Sequence, residues 1–125
     1  MSKTAIVVFS DPKAGSEEAL GRLVNAMFLT LELKEKGQEV SLIFQGAGTR
    51  WPGEITNPSH SAHGLYHAVA DKMDGVCGGC ADVFGATASV KAAGMKLIRE
   101  REIPGVGGII DLSRYLDDGY RLVAF

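Results

Sequence analysis

The sequence predicts a three-layer α/β domain with a mostly parallel sheet, because short apolar runs alternate with segments of helical periodicity. Residues 5–9 (AIVVF) and 40–44 (VSLIF) are continuous and rich in β-branched side chains, as strands buried on both faces are. Between them, leucine, valine and methionine recur at spacings of three and four, which predicts a βαβ unit. At 125 residues the chain fits one domain, predicted to span residues 1–125.

Start and stop signals define the predicted elements in order. Ser16 is the predicted N-cap of the first helix, and Lys36-Gly37 is its predicted C-terminal stop. The elements predicted after the second strand are a long loop at 45–58, a helix at 59–73, a short strand ending at Val76-Cys77, a helix at 80–94, a strand at 95–98, a turn and helix at 105–119 and a last strand at 120–125.

Composition and charge exclude several classes of function. The formal net charge is −2, and lysine and arginine are scattered without a basic stripe, so nucleic acid is not an expected partner. The first apolar run has five residues, too few for a signal-peptide core or a membrane span. We therefore expect a cytoplasmic protein that does not bind a membrane. No Gly-x-Ser-x-Gly motif indicates a hydrolase.

The two cysteines of the chain, Cys77 and Cys80, lie three residues apart on either side of Gly78-Gly79. Backbone N–H groups at a helix start favour a thiolate, and the thiolate is the form that attacks sulfur or binds metal. For this chemistry the Cys77 sulfur is expected to be ionised and reachable from solvent at the mouth of the sheet, and Cys80 is placed to act as a second, resolving thiol. The alternative is that both are small buried residues in a glycine turn. The spacing leaves these interpretations open.

A metal site is the third interpretation of the cysteine pair. Cys-x2-Cys is half of a common zinc arrangement, and histidines can supply the other half. His60, His63 and His67 are offset by three and four residues, so they are predicted to share one helix face. That face is either solvated or subunit-facing, or it places an imidazole near the thiols as a proton shuttle.

Two glycine-containing loops are candidate ligand sites at the carboxyl edge of the predicted sheet. In residues 46–53 (GAGTRWPG), Arg50 is a candidate anion ligand and Trp51 a candidate cover for the guest, or the loop is an ordered surface contact. Residues 104–108 (PGVGG) are a weaker candidate for an anion seat before the last helix. They lack the spacing of a nucleotide-binding motif.

The chain resembles the DsrE/DsrF-like family of small sulfur-handling proteins over nearly its whole length. The resemblance is carried by IVVFSDP, the long first helix ending in Gly37, VSLIFQGAGT, GVCGGCADVFGA and GGIIDLSRYLDDGYRLVAF. The most specific feature is the strand-end Cys77, followed by an alanine-containing helix start and Gly85. The sequence departs from some sulfur-relay members in having Phe84, rather than arginine, before that glycine.

The resemblance implies a flavodoxin-like sandwich with a five-stranded parallel sheet that assembles as a dimer, trimer or hexamer. It also implies that Cys77 accepts and passes on a persulfide sulfur, with donor and acceptor proteins as partners and no organic cofactor. Cys80 is expected to assist Cys77. The alternative is an oligomeric module that binds a small anion or a metal through Arg50, Trp51, His63 and His67, without sulfur chemistry.

Overall fold

The computed structural model describes residues 2–125, and its centre is a sheet of five parallel strands in the order β4-β3-β2-β1-β7. The strands are β1 (Lys3–Val8), β2 (Glu39–Phe44), β3 (Met73–Cys77), β4 (Leu97–Ile98), β5 (Arg101–Ile103), β6 (Gly107–Ile109) and β7 (Arg121–Ala124). The helices are α1 (Glu17–Glu35), α2 (Trp51–Ile55), α3 (His63–Val69), α4 (Gly78–Val83), α5 (Thr87–Ala92) and α6 (Ser113–Asp117). The three-layer parallel architecture predicted from the sequence is confirmed. The strand order differs from the 2-1-3-4-5 order of flavodoxin itself.

The predicted first βαβ unit is present. β1 and β2 are parallel neighbours, from the pair Lys3 and Glu39 to the pair Val8 and Phe44. The Ser16 side chain accepts a hydrogen bond from the Ala19 N–H at 3.2 Å, which caps α1 as predicted. Gly37 follows the helix with a φ of 72°, a left-handed conformation that favours glycine and ends the helix.

The two faces of the sheet are covered unequally. On one face, α1, α2, α3 and α5 enclose a core cluster of sixteen buried residues that includes Leu23, Phe44 and Trp51. The buried cluster on the opposite face has six members: Ala5, Ile43, Cys77, Ile98, Ile110 and Tyr115. Cys77 therefore lies in the smaller core, close to the surface of the molecule.

The last third of the chain differs from the prediction. Residues 101–109 form an antiparallel hairpin, β5–β6, whereas the sequence predicted a turn and helix at 105–119. Gly107 and Gly108 belong to β6, and α6 begins later, at Ser113. The predicted anion seat at 104–108 is therefore wrong, because these residues connect and form a hairpin rather than begin a helix.

Two helix predictions also need correction. The predicted helix at 59–73 forms only from His63 to Val69, followed by a 3-10 turn at 70–72. The predicted helix at 80–94 is two helices, α4 and α5, separated at Gly85, which has a φ of 69°. The predicted loop at 45–58 contains a 3-10 turn at 46–50 and the short helix α2.

Candidate functional site

Cys77 is the last residue of β3 and the residue from which α4 starts. Its backbone is extended, with φ −60° and ψ 116°, and the chain turns into helical conformation at Gly78. The side chain at this junction points to the smaller core, because alternate residues of a strand face opposite sides of the sheet. As the sequence predicted, a cysteine lies between the end of a strand and the start of a helix.

The expectation that the Cys77 sulfur is reachable from solvent is wrong for this structure. Cys77 is 0% exposed and packs in the smaller core with residues such as Ile43 and Ile110. Cys80, one helical turn further on, is half-buried, and both thiols are free. Any chemistry at Cys77 therefore requires its cover to move, whereas Cys80 is partly open to solvent.

Cys77 is the N-cap residue of α4, and the half-buried Cys80 packs against the buried cluster that contains Cys77. Interaction with the Cys80 thiol is the largest cause of a lowered Cys77 pKa, which falls to about 6 although burial acts in the opposite direction. The N–H groups of Ile110, Cys80 and Gly79 also lower it. Interaction with Cys77 is in turn the largest cause of a raised Cys80 pKa. Both shifts favour a thiolate at Cys77 beside a protonated Cys80.

The hairpin and one arginine cover this thiol pair. A Cβ at position 79 would lie 2.7 Å from the Cγ2 of Ile109 and 3.1 Å from the Cγ1 of Val106. Gly108 approaches Arg99 as closely, since a Cβ there would lie 2.7 Å from the arginine Cβ. Glycine is needed at both positions because contacts this short leave no room for a side chain.

Arg99 is a residue of the site that the sequence analysis did not single out. Its Nη1 and Nη2 donate to the two carboxylate oxygens of Asp82 at 2.8 and 3.1 Å, and Asp82 also accepts from the Thr87 hydroxyl at 2.6 Å. These hydrogen bonds lower the Asp82 pKa to about 2, and the bond with Arg99 has the largest effect. The Cys77 charge contributes to a raised Arg99 pKa after the larger effect of Asp82, so the two groups attract one another. Arg99 supplies positive charge next to Cys77 from the β4–β5 connection, against the adjacent Gly78.

Arg50 and Trp51 both have partners within the protein. Arg50 donates from Nη1 to Asp11 at 2.9 Å and from Nε to the Phe84 carbonyl at 3.1 Å. Trp51 is 3% exposed, and its Nε1 donates to the Ser10 carbonyl at 2.7 Å. Trp51 is therefore a core residue that ties two loops together, and the interpretation of its ring as a cover over a guest is wrong for this structure.

The three histidines do not form one helical face. His60 precedes α3, and its Nδ1 accepts from the Ala62 N–H at 3.0 Å. His63 donates from Nδ1 to the Ile55 carbonyl at 2.9 Å, and the Nε2 atoms of His63 and His67 are 3.0 Å apart. None of the three histidines is among the groups that shift the pKa of Cys77 or Cys80. Among residues 2–125, no group of three or more His, Cys, Asp or Glu side chains is arranged to hold a metal ion.

Exposed apolar side chains border the half-buried Cys80. Val83 and Phe84 follow it by three and four residues and so lie on its side of α4; they are 61% and 36% exposed. The Gly46 N–H acts to lower the Cys80 pKa, and Phe9, 46% exposed, lies beside Gly46. We call Phe9, Val83 and Phe84 the apolar rim. Its position is at the carboxyl edge of the sheet, next to the one thiol that solvent reaches.

The fold and the site together define a small parallel α/β protein with two free cysteines where a strand ends and a helix starts. The chain belongs to the DsrE/DsrF-like family, whose model matches residues 3–125. It is 31% identical over 101 residues to an uncharacterized protein of Methanocaldococcus jannaschii, covering 81% of this chain and 78% of that protein. No solved structure matches the chain. Between residues 2 and 125, none of the helices has the length and apolar character that crossing a membrane requires.

Proposed function

We propose that this protein is a cytoplasmic sulfur carrier that holds sulfane sulfur as a persulfide on Cys77. The observation that carries the proposal is the position of Cys77 as the N-cap residue of α4, with Arg99 against the adjacent Gly78, which favours a thiolate inside a largely apolar cluster. A buried cysteine with a purely packing role needs no such surroundings, because the neutral thiol is a small apolar group. A thiolate is the nucleophile in sulfur exchange.

The proposed loading step is a transfer between two sulfur atoms. The Cys77 thiolate attacks the outer sulfur of a donor protein's persulfide, and the donor's S–S bond breaks. The donor leaves as a thiolate that takes up a proton, and Cys77 becomes a persulfide. In the unloading step, a thiolate of an acceptor protein attacks the outer sulfur, and Cys77 returns to the thiolate.

Loading requires the hairpin β5–β6 to move away from α4. Its two strands pair with each other and form a sheet separate from the five-stranded one, so this movement breaks none of the main-sheet strand pairing. The contacts that hold it include those of Val106 and Ile109 with Gly79. The Arg99–Asp82 ion pair, half exposed to solvent, lies beside them. Such exposed pairs contribute about 0–1 kcal/mol, so the ion pair adds little to the cost of opening.

The apolar rim supports docking of proteins rather than small molecules. Two exposed aromatic rings beside a half-buried thiol are typical of protein interfaces, where aromatic residues are enriched. We expect the donor and acceptor proteins to contact this rim. We also expect the protein to form a homo-oligomer. The anion- or metal-binding alternative has no observation of this kind in its favour, since Arg50, Trp51 and His63 already bind protein groups.

The test is loading of the Cys80→Ser variant, in which the serine hydroxyl still donates to Cys77 but does not form a disulfide. After incubation with glutathione persulfide, intact mass spectrometry is expected to show a gain of one sulfur atom that a reductant removes. The matched control is the double variant with Cys77→Ser added, which should gain none. Absence of a gain that depends on Cys77 would refute the carrier function.

A further inference from the structure

We infer that Cys80 resolves the persulfide on Cys77, closing a Cys77–Cys80 disulfide and releasing sulfide, so that the protein is a sulfane-sulfur reductase as well as a carrier. The inference rests on the proposed function, because it begins from the loaded Cys77. It assigns a distinct role to each thiol: Cys77 takes the sulfur, and Cys80 expels it.

The geometry of the two thiols fits a disulfide. Cys80 packs against the buried cluster that contains Cys77, and only two glycines lie between them in the chain. Cys77 is the N-cap residue of α4 and Cys80 lies in its first turn. Residues three apart at a helix start have Cα atoms about 5 Å from each other, inside the roughly 4.4–6.8 Å range that a disulfide spans. Closing the bond therefore requires rotation of side chains at a helix start rather than a rearrangement of the fold.

The persulfide itself removes the obstacle to Cys80 ionisation. In the resting pair, hydrogen bonding to the Cys77 sulfur is the largest cause of the raised Cys80 pKa, and burial and the Cys77 charge add to it. Once that sulfur is bonded to a second sulfur, it is no longer anionic, and the negative charge lies on the outer sulfur. The proton of Cys80 passes to this outer sulfur, which becomes the leaving group.

The resolving step balances in atoms and electrons. The Cys80 thiolate attacks the inner sulfur, the Sγ of Cys77, and a Cys77–Cys80 S–S bond forms. The bond between the inner and outer sulfur breaks, and the outer sulfur leaves as hydrosulfide. Two thiols are oxidised to a disulfide while one sulfane sulfur is reduced to sulfide. A dithiol reductant regenerates the pair by thiol–disulfide exchange.

The covered position of Cys77 favours this outcome over transfer to an external acceptor. When the hairpin is closed, Cys77 is 0% exposed, so an acceptor thiol does not reach a sulfur bound to it. Cys80 is the thiol in contact with Cys77 inside the closed site. Half-burial of Cys80 leaves its side open to the leaving sulfide and to a reductant. When the hairpin is closed, Cys80 therefore releases the sulfur as sulfide. When a docked acceptor protein holds the hairpin open, the sulfur is transferred to the acceptor thiol.

The experiment compares the full-length wild type with Cys80→Ser and Cys77→Ser. Each pre-reduced protein is mixed anaerobically with one equivalent of glutathione persulfide, and sulfide and intact mass are measured together. The wild type is expected to lose two hydrogens and to release one sulfide per chain. Cys80→Ser is expected to gain one sulfur and release sulfide only at the rate of a protein-free control. Cys77→Ser is expected to do neither.

The variants separate failure of this inference from failure of the proposed function. If the wild type retains the extra sulfur as stably as Cys80→Ser, the inference is overturned and the carrier function stands. If the wild type forms a disulfide without stoichiometric sulfide, it has been oxidised by another route, and the inference is likewise overturned. If Cys80→Ser gains no sulfur, the carrier function fails, and the inference fails with it.

Discussion

Arg99 occupies the space above Gly78 that a side chain there would need. A Cβ at position 78 would lie 2.6 Å from the Cγ of Arg99 and 2.9 Å from its Nη1. Position 78 follows Cys77 directly, so this contact holds a guanidinium beside the thiolate. Arg99 comes this close only because residue 78 is glycine. Its positive charge compensates in part for the water that a buried Cys77 thiolate lacks.

Arg99→Gln is expected to raise the Cys77 pKa above about 6, because the variant removes a positive charge that attracts the thiolate. The effect should be smaller than that of losing a sulfur hydrogen bond, since the Arg99 side chain is 38% exposed and screened by water. Thiolate ultraviolet absorbance measured against pH reports the pKa without needing access to the sulfur. The matched control is Arg101→Gln, on the exposed strand β5; an equal shift in both variants would contradict a local role.

Cys80→Ala is expected to raise the Cys77 pKa from about 6 towards the ordinary thiol value, because it removes the largest stabilising hydrogen bond. For a shift to the ordinary value of about 8.5, the thiolate fraction at pH 7 falls from about nine tenths to about three hundredths. Cys80→Ser retains a hydroxyl donor and should stay closer to the wild type. The measurement is again thiolate absorbance, and identical titrations of the two variants would disprove the role of the donated proton.

The free energy of unfolding is expected to rise from about pH 6 to about 8.5 and to fall above it. In that window the unfolded chain holds both thiol protons, while the folded protein has released the Cys77 proton, so the unfolded state binds more protons. Above it the unfolded thiols are both ionised, whereas folded Cys80 keeps its proton because its pKa is raised. Urea unfolding at a series of pH values measures this, with the Cys77→Ser, Cys80→Ser double variant as the reference for all other titrating groups. A wild-type profile parallel to that reference would contradict the shared proton.

Gly79→Ala is expected to speed alkylation of Cys77 several-fold, because the added methyl group lies 2.7 Å from Ile109 and pushes the hairpin outward. The alkylation rate of Cys77, located by peptide mass spectrometry, is the measurement. Gly64→Ala is the matched control: it also lies in a short helix, and its added methyl meets nothing within 4 Å. A rate unchanged by Gly79→Ala would mean that the hairpin does not limit access.

Trp51→Phe is expected to destabilise the protein by about 1 kcal/mol, since it removes the hydrogen bond to the buried Ser10 carbonyl. Persulfide loading of Cys77 should be unchanged, because Trp51 belongs to the larger core on the other face of the sheet. Chemical denaturation measures the first effect and intact mass the second. Unchanged stability with impaired loading would instead support a ligand-binding role for the indole.

The parallel sheet was predictable from sequence because its central strands are buried on both faces and have a simple apolar signature. Residues 40–44 illustrate this: all five are buried in β2. The hairpin β5–β6 has no such signature. It has charged and glycine residues and two exposed positions at Arg101 and Glu102, and its pairing depends on contact with α4 rather than on local pattern.

The sequence predicted the two cysteines of the candidate site but not the residues that cover them. Cys77 and Cys80 are the two cysteines of the sequence, and the glycines between them marked a close approach. Arg99 lies 22 positions after Cys77, and nothing local distinguishes it from the other cations. The histidines at 60, 63 and 67 had regular spacing, but helix α3 starts too late to place all three on one face.

The hairpin shares no strand pairing with the five-stranded sheet, and this gives the molecule two levels of local stability. Amide protons of residues 101–109 should exchange with solvent through sub-global openings, far faster than those of β1 and β2, whose exchange awaits unfolding of the whole domain. Access of solvent to the buried Cys77 sulfur then depends on the opening of one small segment, which occurs while the remainder of the chain stays native.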